Sequence, residues 1–153
     1  MAKQRDAIRM SDAEITTFLD GCRSMNVASL LKDGSPHLTT LWFAVKDGKY
    51  LFETYGSSQK VLNLRRDPRC ALLWEAGTEY DQLVGVSIRG KAEIIDAEPR
   101  LTELMSHIIR RNSPGLGDHH DQHVAQMVRK RVVISVTPDK IISWDHRKIP
   151  ARA

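Results

Sequence analysis

No apolar run in this 153-residue chain approaches the roughly 18 residues that cross a bilayer, so no membrane-spanning helix is expected. The opening residues, Met-Ala-Lys-Gln-Arg-Asp, carry no apolar signal core; nothing in them predicts export, and the expected compartment is the cytoplasm. Cysteine is scarce. Cys22 and Cys70 lack the spacing of a metal or redox pair and fall within apolar patterns, which predicts buried thiols in a reducing compartment. Charge of one sign is also scant: the net charge of +4 is dispersed, too mild for a nucleic-acid partner but suited to an anionic ligand. There is no Gly-x-Ser-x-Gly elbow, no pair of carboxylates marked for acid–base work, and no cation–His pair beside either cysteine. With those side-chain chemistries missing, an enzymatic reading assigns the hard chemistry to a cofactor. Internal repeats and low-complexity segments are absent too, and the length suits one domain over 1–153 with a polar arm (1–10) and a tail (145–153).

What is present reads mostly as strand. Ser11-Asp12-Ala13-Glu14 is a capping box, and Ile15, Phe18, Leu19 and Cys22 follow at helical spacing. Strands are expected over 26–31, 36–46 and 49–55, joined by Asp33-Gly34 and Asp47-Gly48 turns into an antiparallel meander. Further strands are expected over 69–74 and 83–95, the latter bent at Gly85 or Gly90. A second amphipathic helix over 97–111 turns Leu101, Leu104, Met105, Ile108 and Ile109 inward, and a loop follows over 112–121. Strands over 131–137 and 140–144, separated by a Pro138-Asp139 turn, complete six or seven. An open sheet of that size exposes long edges, so the pattern predicts a mainly β fold with peripheral helices, closed into a barrel.

The organising stretch is Tyr55–Trp74. It reads as strand end, small-residue loop (Gly56, Ser57, Ser58), helix, Pro68 stop and buried strand. Ser58 is the expected N-cap, with Leu62 and Leu64 packing inward. Lys60 lies in the first helical turn, where a cation opposes the helix dipole; sharing a bound anion with the free amides there would explain it. The local pattern is neither a Walker A nor a GxGxxG motif, and a plain connecting helix with solvated charges stays open. The run Asp118-His119-His120-Asp121-Gln122-His123 lacks partners to complete a tetrahedral set and reads as a solvated loop, so no metal is assigned. His37, Thr39, Thr40 and Trp42 share one strand; Thr hydroxyls there suit the polar edge of a heterocycle, or cross-strand packing. In the tail, Trp144 and Ile149 predict docking, in one reading on another subunit.

The order of helix, meander, Ser-x-Lys-x-x-Asn-Leu-x-x-Asp-Pro-Arg over 58–69, long Gly-containing strand, helix and closing strands ending in Trp144-Asp145 resembles the flavin/deazaflavin oxidoreductases of the split β-barrel superfamily, which includes the pyridoxamine 5′-phosphate oxidases. The resemblance covers residues 11 to 148. It implies a homodimer with two equivalent cofactor sites at the interface. It implies that Gly56, Ser57, Ser58 and Lys60 meet the cofactor phosphate, that Thr39, Thr40, Leu41 and Trp42 lie along the ring or its ribityl chain, and that Thr54 and Tyr55 flank them. Trp144 and Arg147 of the other subunit would close the site. Two departures bear on the cofactor. The compact tail lacks the extended basic constellation of the pyridoxamine phosphate oxidases, and Ser57 and Ser58 stand where a second phosphate-binding cation is expected. A lone Lys suits the singly charged phosphodiester of the deazaflavin coenzyme F420 better than the dianion of FMN. The acidic tail of F420 would then meet Arg65, Arg66 or the C-terminal basic residues. The expected function is hydride transfer between the deazaflavin and an unsaturated small molecule, with Tyr55 and His37 as candidate proton donors. An FMN-dependent oxidase or reductase, and a non-catalytic protein holding a flavin or haem-like ligand, remain alternatives.

Overall fold

The computed structural model describes residues 4–149. Helix α1 (Gln4–Ala7) is short, and α2 (Asp12–Gly21) starts at the predicted capping box: the Glu14 amide donates to Ser11 Oγ and the Ser11 amide to the Glu14 carboxylate. The remaining elements are β1 (Ser24–Leu30), β2 (Pro36–Trp42), β3 (Ala44–Lys46), β4 (Lys49–Tyr55), α3 (Gln59–Arg66), β5 (Arg69–Ala76), β6 (Val84–Ile95), α4 (Arg100–Asn112), α5 (His120–Met127) and β7 (Arg131–Asp145). Short 3₁₀ turns at 80–82, 114–119 and 146–148 complete the chain.

All seven strands join one antiparallel sheet in the order β2-β1-β5-β6-β7-β4-β3. Its two edges, β2 and β3, are consecutive in the chain and separated only by Phe43. A flat sheet of seven strands cannot place its opposite edges one residue apart, so the sheet curls on itself. The result is the expected mainly β split barrel. Phe43 is the crossing point, with no exposed surface.

Two strand assignments differ from the sequence reading. The run 36–46 is not one strand but two, broken at Phe43. Conversely, 131–145 is one strand rather than two. Arg89 pairs with Lys140 and Gly90 with Pro138, so Asp139 is the extra residue of a bulge. A bulge tolerates proline inside a strand, because no ladder amide is required of it there. The Asp47-Gly48 turn forms as predicted, both residues adopting positive φ (51° and 73°), as a type I′ hairpin turn requires.

The core has two parts. Inside the barrel, Val27, Phe52, Leu72, Trp74, Val86 and Ile134 pack with Val61 and Leu64 of α3 and Leu19 of α2. Outside it, the predicted stripe of α4 covers Ala44, Leu51, Ile95 and Val133. Leu62 is a correction: it is 52% exposed, since residues two apart on a helix cannot share a face with Leu64. The polar arm is corrected as well. Met10 is buried, its amide donates to Ser143 Oγ at 3.1 Å, and the Asp145 amide donates to the Ile8 carbonyl at 2.7 Å. Residues 1–3 of that arm and 150–153 of the tail lie outside the described residues. Among those described, no helix is long and apolar enough to cross a membrane.

Among the described residues, no helix stripe covers the outward face of β2, β1 and β5 or the adjoining parts of β6 and β7 away from α4. Leu38 and Trp42 on β2 and Ile142 on β7 stand exposed, Leu38 by 68%.

Candidate functional site

The seam of the barrel lies where β2 and β4 approach without pairing. Chain periodicity divides the β2 candidates. His37, Thr39 and Leu41 pair with Ser29, Val27 and Met25, whose side chains face the barrel interior, while Thr40 and Trp42 face outward with Asn26 and Ser24. Thr40 donates to Asn26 Oδ1 at 2.8 Å, and the guanidinium carbon of Arg23 sits 4.1 Å from the Trp42 ring centroid. The inward pair is different: His37 Nδ1 and Thr39 Oγ1 are buried without a hydrogen-bond partner. Buried polar atoms are nearly always satisfied, so two orphans on one strand face mark a place where a ligand or water is missing.

Across the seam, Thr54 on β4 is buried at the foot of α3. Lys60 Nζ donates to Thr54 Oγ1 at 3.2 Å, and the Thr54 and Ser58 hydroxyls lie 3.3 Å apart. Ser58 is the N-cap residue, yet its side chain makes no capping bond. Its carbonyl accepts from the Val61 and Leu62 amides, which leaves the Gln59 and Lys60 amides without a described partner. None of the described ion pairs includes Lys60. Burial lowers the Lys60 pKa from its ordinary value, and the charge of Glu53 opposes that only in part. A half-buried ammonium, two free amides at a helix start and two hydroxyls form an arrangement that can receive an anion.

Helix α3 is pinned in this position. Asn63, fully buried, donates to Ser29 Oγ at 3.0 Å and accepts from Gln59 at 2.8 Å; Arg66 donates to the Leu30 carbonyl at 2.6 Å. Other cations nearby are engaged. Arg131 pairs with Glu53 at 2.6 Å and lies 4.0 Å over the Tyr55 ring, which faces outward, and Arg65 pairs with Asp96 at 3.0 Å. Sequence reading missed Arg131, because only the pairing of Tyr55 with Arg131 across β4 and β7 brings them together. Ser57 is exposed, and the Gly56 amide donates to the Lys130 carbonyl at 3.0 Å.

Trp144 and Arg147 lie elsewhere in the chain. Trp144 pairs with Gly85 at the start of β6, whereas α3 leads into β5 beside Lys91 and Ala92, nearer the other end of that strand. Arg147 makes two bonds of 2.8 Å to Asp145. A Cβ on Gly85 would overlap the Trp144 ring and approach the Trp74 carbonyl oxygen to 2.9 Å. Gly85→Ala is therefore expected to cost about 1–3 kcal/mol and to shift the fluorescence of Trp144; denaturant melts read by tryptophan emission check both.

Other candidate chemistries find little support in the geometry. Burial pushes the Cys70 thiol up to about 12, so it stays protonated, and Cys22 is raised by burial too. His120 Nε2 lies 2.8 Å from Ser106 Oγ in α4, and His120 opens α5 where a loop was expected. Among the described residues no three His, Cys, Asp or Glu side chains gather as metal ligands. Two hollows, about 580 Å³ along Ala28, Pro36, Arg89 and Lys140 and about 510 Å³ along Arg110, Leu116 and Asp121, do not include Lys60.

Comparison with known proteins agrees with this architecture. The conserved hypothetical protein Rv2991 from Mycobacterium tuberculosis is 41% identical, with a TM-score of 0.90 over 99% of this chain and 95% of that one. HutZ, the heme storage protein from Vibrio cholerae, gives a TM-score of 0.70 at 12% identity, covering 86% of this chain and 94% of that one. An F420 reductase gives 0.63 at 21% identity, covering 82% and 93%. The last two likenesses speak for the fold alone. No curated protein matches the chain. The family described as pyridoxamine 5′-phosphate oxidase matches residues 11–145, and the chain belongs to that family.

Proposed function

We propose that this chain is a homodimeric oxidoreductase that holds a flavin-type cofactor in the seam, that the cofactor is the deazaflavin coenzyme F420, and that the acceptor is an unsaturated small molecule. The carrying observation is Lys60: a half-buried ammonium with no described ion-pair partner, beside two free helix-start amides and across the seam from the orphaned Thr39 hydroxyl and His37 imidazole. A cofactor phosphate satisfies the first group and the polar edge of a ring system the second. With Arg131, Arg66 and Arg65 already engaged, Lys60 is left to balance one negative charge, as a phosphodiester carries and FMN exceeds. Lys130, exposed and without a described side-chain partner, adds a cation next to the 56–58 loop for an acidic tail; Arg65, Arg66, Arg147 and Lys148 are all engaged with other groups. An F420 reductase shares this fold.

The cofactor supplies hydride chemistry. The protein's residues bind and orient it and exclude water: Lys60 and the helix start fix one end, and Thr39 and Leu41 line the inner face of β2. His37 and Tyr55 are the proton donors to test, and His37 is the one that faces inward.

The bare outward face bearing Leu38, Trp42 and Ile142 is the proposed dimer surface, across which Trp144 and Arg147 of a second copy would wall the seam. Leu38→Glu is expected to leave secondary structure intact and shift the protein to a monomer that binds cofactor poorly. Sedimentation of an unchanged dimer would remove this face from the account.

Equilibrium titration of apoprotein with F420 and with FMN, read by fluorescence, tests the reading. Tighter binding of F420 supports it; tighter binding of FMN moves the protein to the flavin branch; binding of neither overturns the cofactor site. Binding of F420 without hydride transfer from its reduced form to any acceptor would favour a storage or carrier role, a fold precedent for which is HutZ. The titration also has a pH signature. Because burial lowers the Lys60 pKa in the free protein and a bound anion restores the ammonium, binding takes up a proton at alkaline pH. Affinity is expected to fall as pH rises on the alkaline side, beginning lower than an exposed lysine would dictate, and Lys60→Arg should flatten the fall.

A further inference from the structure

Why the strand 36–46 breaks at Phe43 is answered from the far side of the molecule. The Phe43 carbonyl accepts two hydrogen bonds from the end of α4, from Arg111 Nη1 at 3.1 Å and Asn112 Nδ2 at 3.0 Å. The pairing of β2 with β1 ends at Trp42, and that of β3 with β4 begins at Ala44, one residue to either side. A carbonyl drawn into two side-chain bonds is lost to the ladder, and the strand turns there from one sheet edge to the other.

Arg111 is unusual among the arginines. Its other nitrogen donates to the Leu19 and Cys22 carbonyls at 2.9 and 2.8 Å, its guanidinium carbon lies 4.1 Å from the Phe43 ring centroid, and among the described residues no carboxylate pairs with it. Burial lowers its pKa from the ordinary value, the charge of Asp20 opposing this. Asn112 is buried and also donates to the Ile108 carbonyl at 2.9 Å. Its own carbonyl accepts from Arg23 at 3.5 Å, and Arg23 in turn lies over Trp42. A half-buried cation that binds only carbonyls and an aromatic face is a costly device for stability alone. Here it ties α2, α4 and the edge crossing together at one point.

We infer that Arg111 and Asn112 are positioning residues for the seam: by fixing the Phe43 carbonyl they set where the chain changes edge, and with it the placement of Thr39 on β2 relative to Thr54 and Lys60 at the β4–α3 side. The bearing on cofactor binding rests on the reading of the seam given above; the bearing on the strand crossing does not.

Two variants and a control test this. Arg111→Lys keeps the charge but loses the fork across three carbonyls, and Asn112→Ala removes one of the two donors to Phe43. Met105→Ala deletes volume from the buried stripe of the same helix without touching Phe43 and serves as a control for general destabilisation. In unliganded protein, hydrogen exchange should accelerate over 36–43 relative to β5 and β6 in both lock variants and not in the control. The dissociation constant for whichever of F420 and FMN the wild type binds should rise by about tenfold or more in the lock variants, with the control near wild type. Unchanged relative exchange over 36–43 overturns the inference. So does a loss of affinity in Met105→Ala equal to that in the lock variants, which would mark general destabilisation. If the wild type binds neither cofactor, the reading of the seam fails, and the exchange result still decides whether α4 sets the crossing.

Discussion

Lys60→Ala is expected to weaken cofactor binding by about 1.5–3 kcal/mol, the cost of a lost charge-assisted hydrogen bond, while leaving the fold intact. The effect on stability has the opposite sign from that of an ordinary loss of contact. Burial holds the Lys60 pKa below its ordinary value, so the unfolded chain binds that proton more readily and the charged side chain disfavours the folded state at neutral pH. Removing it should leave the melting temperature unchanged or slightly raised. Calorimetry and a fluorescence titration on the same preparation separate the two effects. An unchanged dissociation constant would eliminate the anion cradle, because Lys60 is the only cationic side chain in the first turn of α3; its Thr54 contact would then be only local packing.

Phe43→Ala should be the most damaging single truncation in the barrel, costing about 3–5 kcal/mol. Phe43 is fully buried, meets Trp74 edge-on with centroids 5.0 Å apart, and carries the Arg111 guanidinium 4.1 Å from its ring centroid. Its loss opens a cavity at the one residue where the two sheet edges join, so the surroundings have little freedom to collapse. For a chain of this size the melting temperature should fall by on the order of 10 °C. The cofactor affinity should fall with it, since the same residue separates Thr39 from the β4 side of the seam. A loss under about 1 kcal/mol would mean that the crossing is held by its backbone bonds alone.

Local signals were the legible part of the sequence. The Ser11–Glu14 box, the Asp47-Gly48 turn and the α4 stripe each depend on residues within a turn or two of one another, and each forms where the sequence puts it. The break at Phe43 was not legible, because its cause lies 68 and 69 residues away, in Arg111 and Asn112. Pro138 read as a turn because proline usually ends a strand; whether it sits at a bulge depends on the partner register, which Gly90 supplies. The candidate site divides in the same way. Ser58, Lys60 and Thr54 come together through one loop and one helical turn, so their grouping was readable. The inward turn of Thr39 and His37, the outward turn of Thr40 and Trp42, and the capture of Tyr55 by Arg131 all depend on which strand pairs with which.

The most direct test of the central claim is a crystal structure of the protein with F420 bound. A phosphodiester oxygen is expected within about 3 Å of Lys60 Nζ, accepting also from the Gln59 or Lys60 amide. The ring is expected in the seam, against the orphaned Thr39 hydroxyl and walled by a second copy of the chain. A phosphate held instead in the hollow beside Arg89 and Lys140, with Lys60 still bound only to Thr54, would contradict the claim.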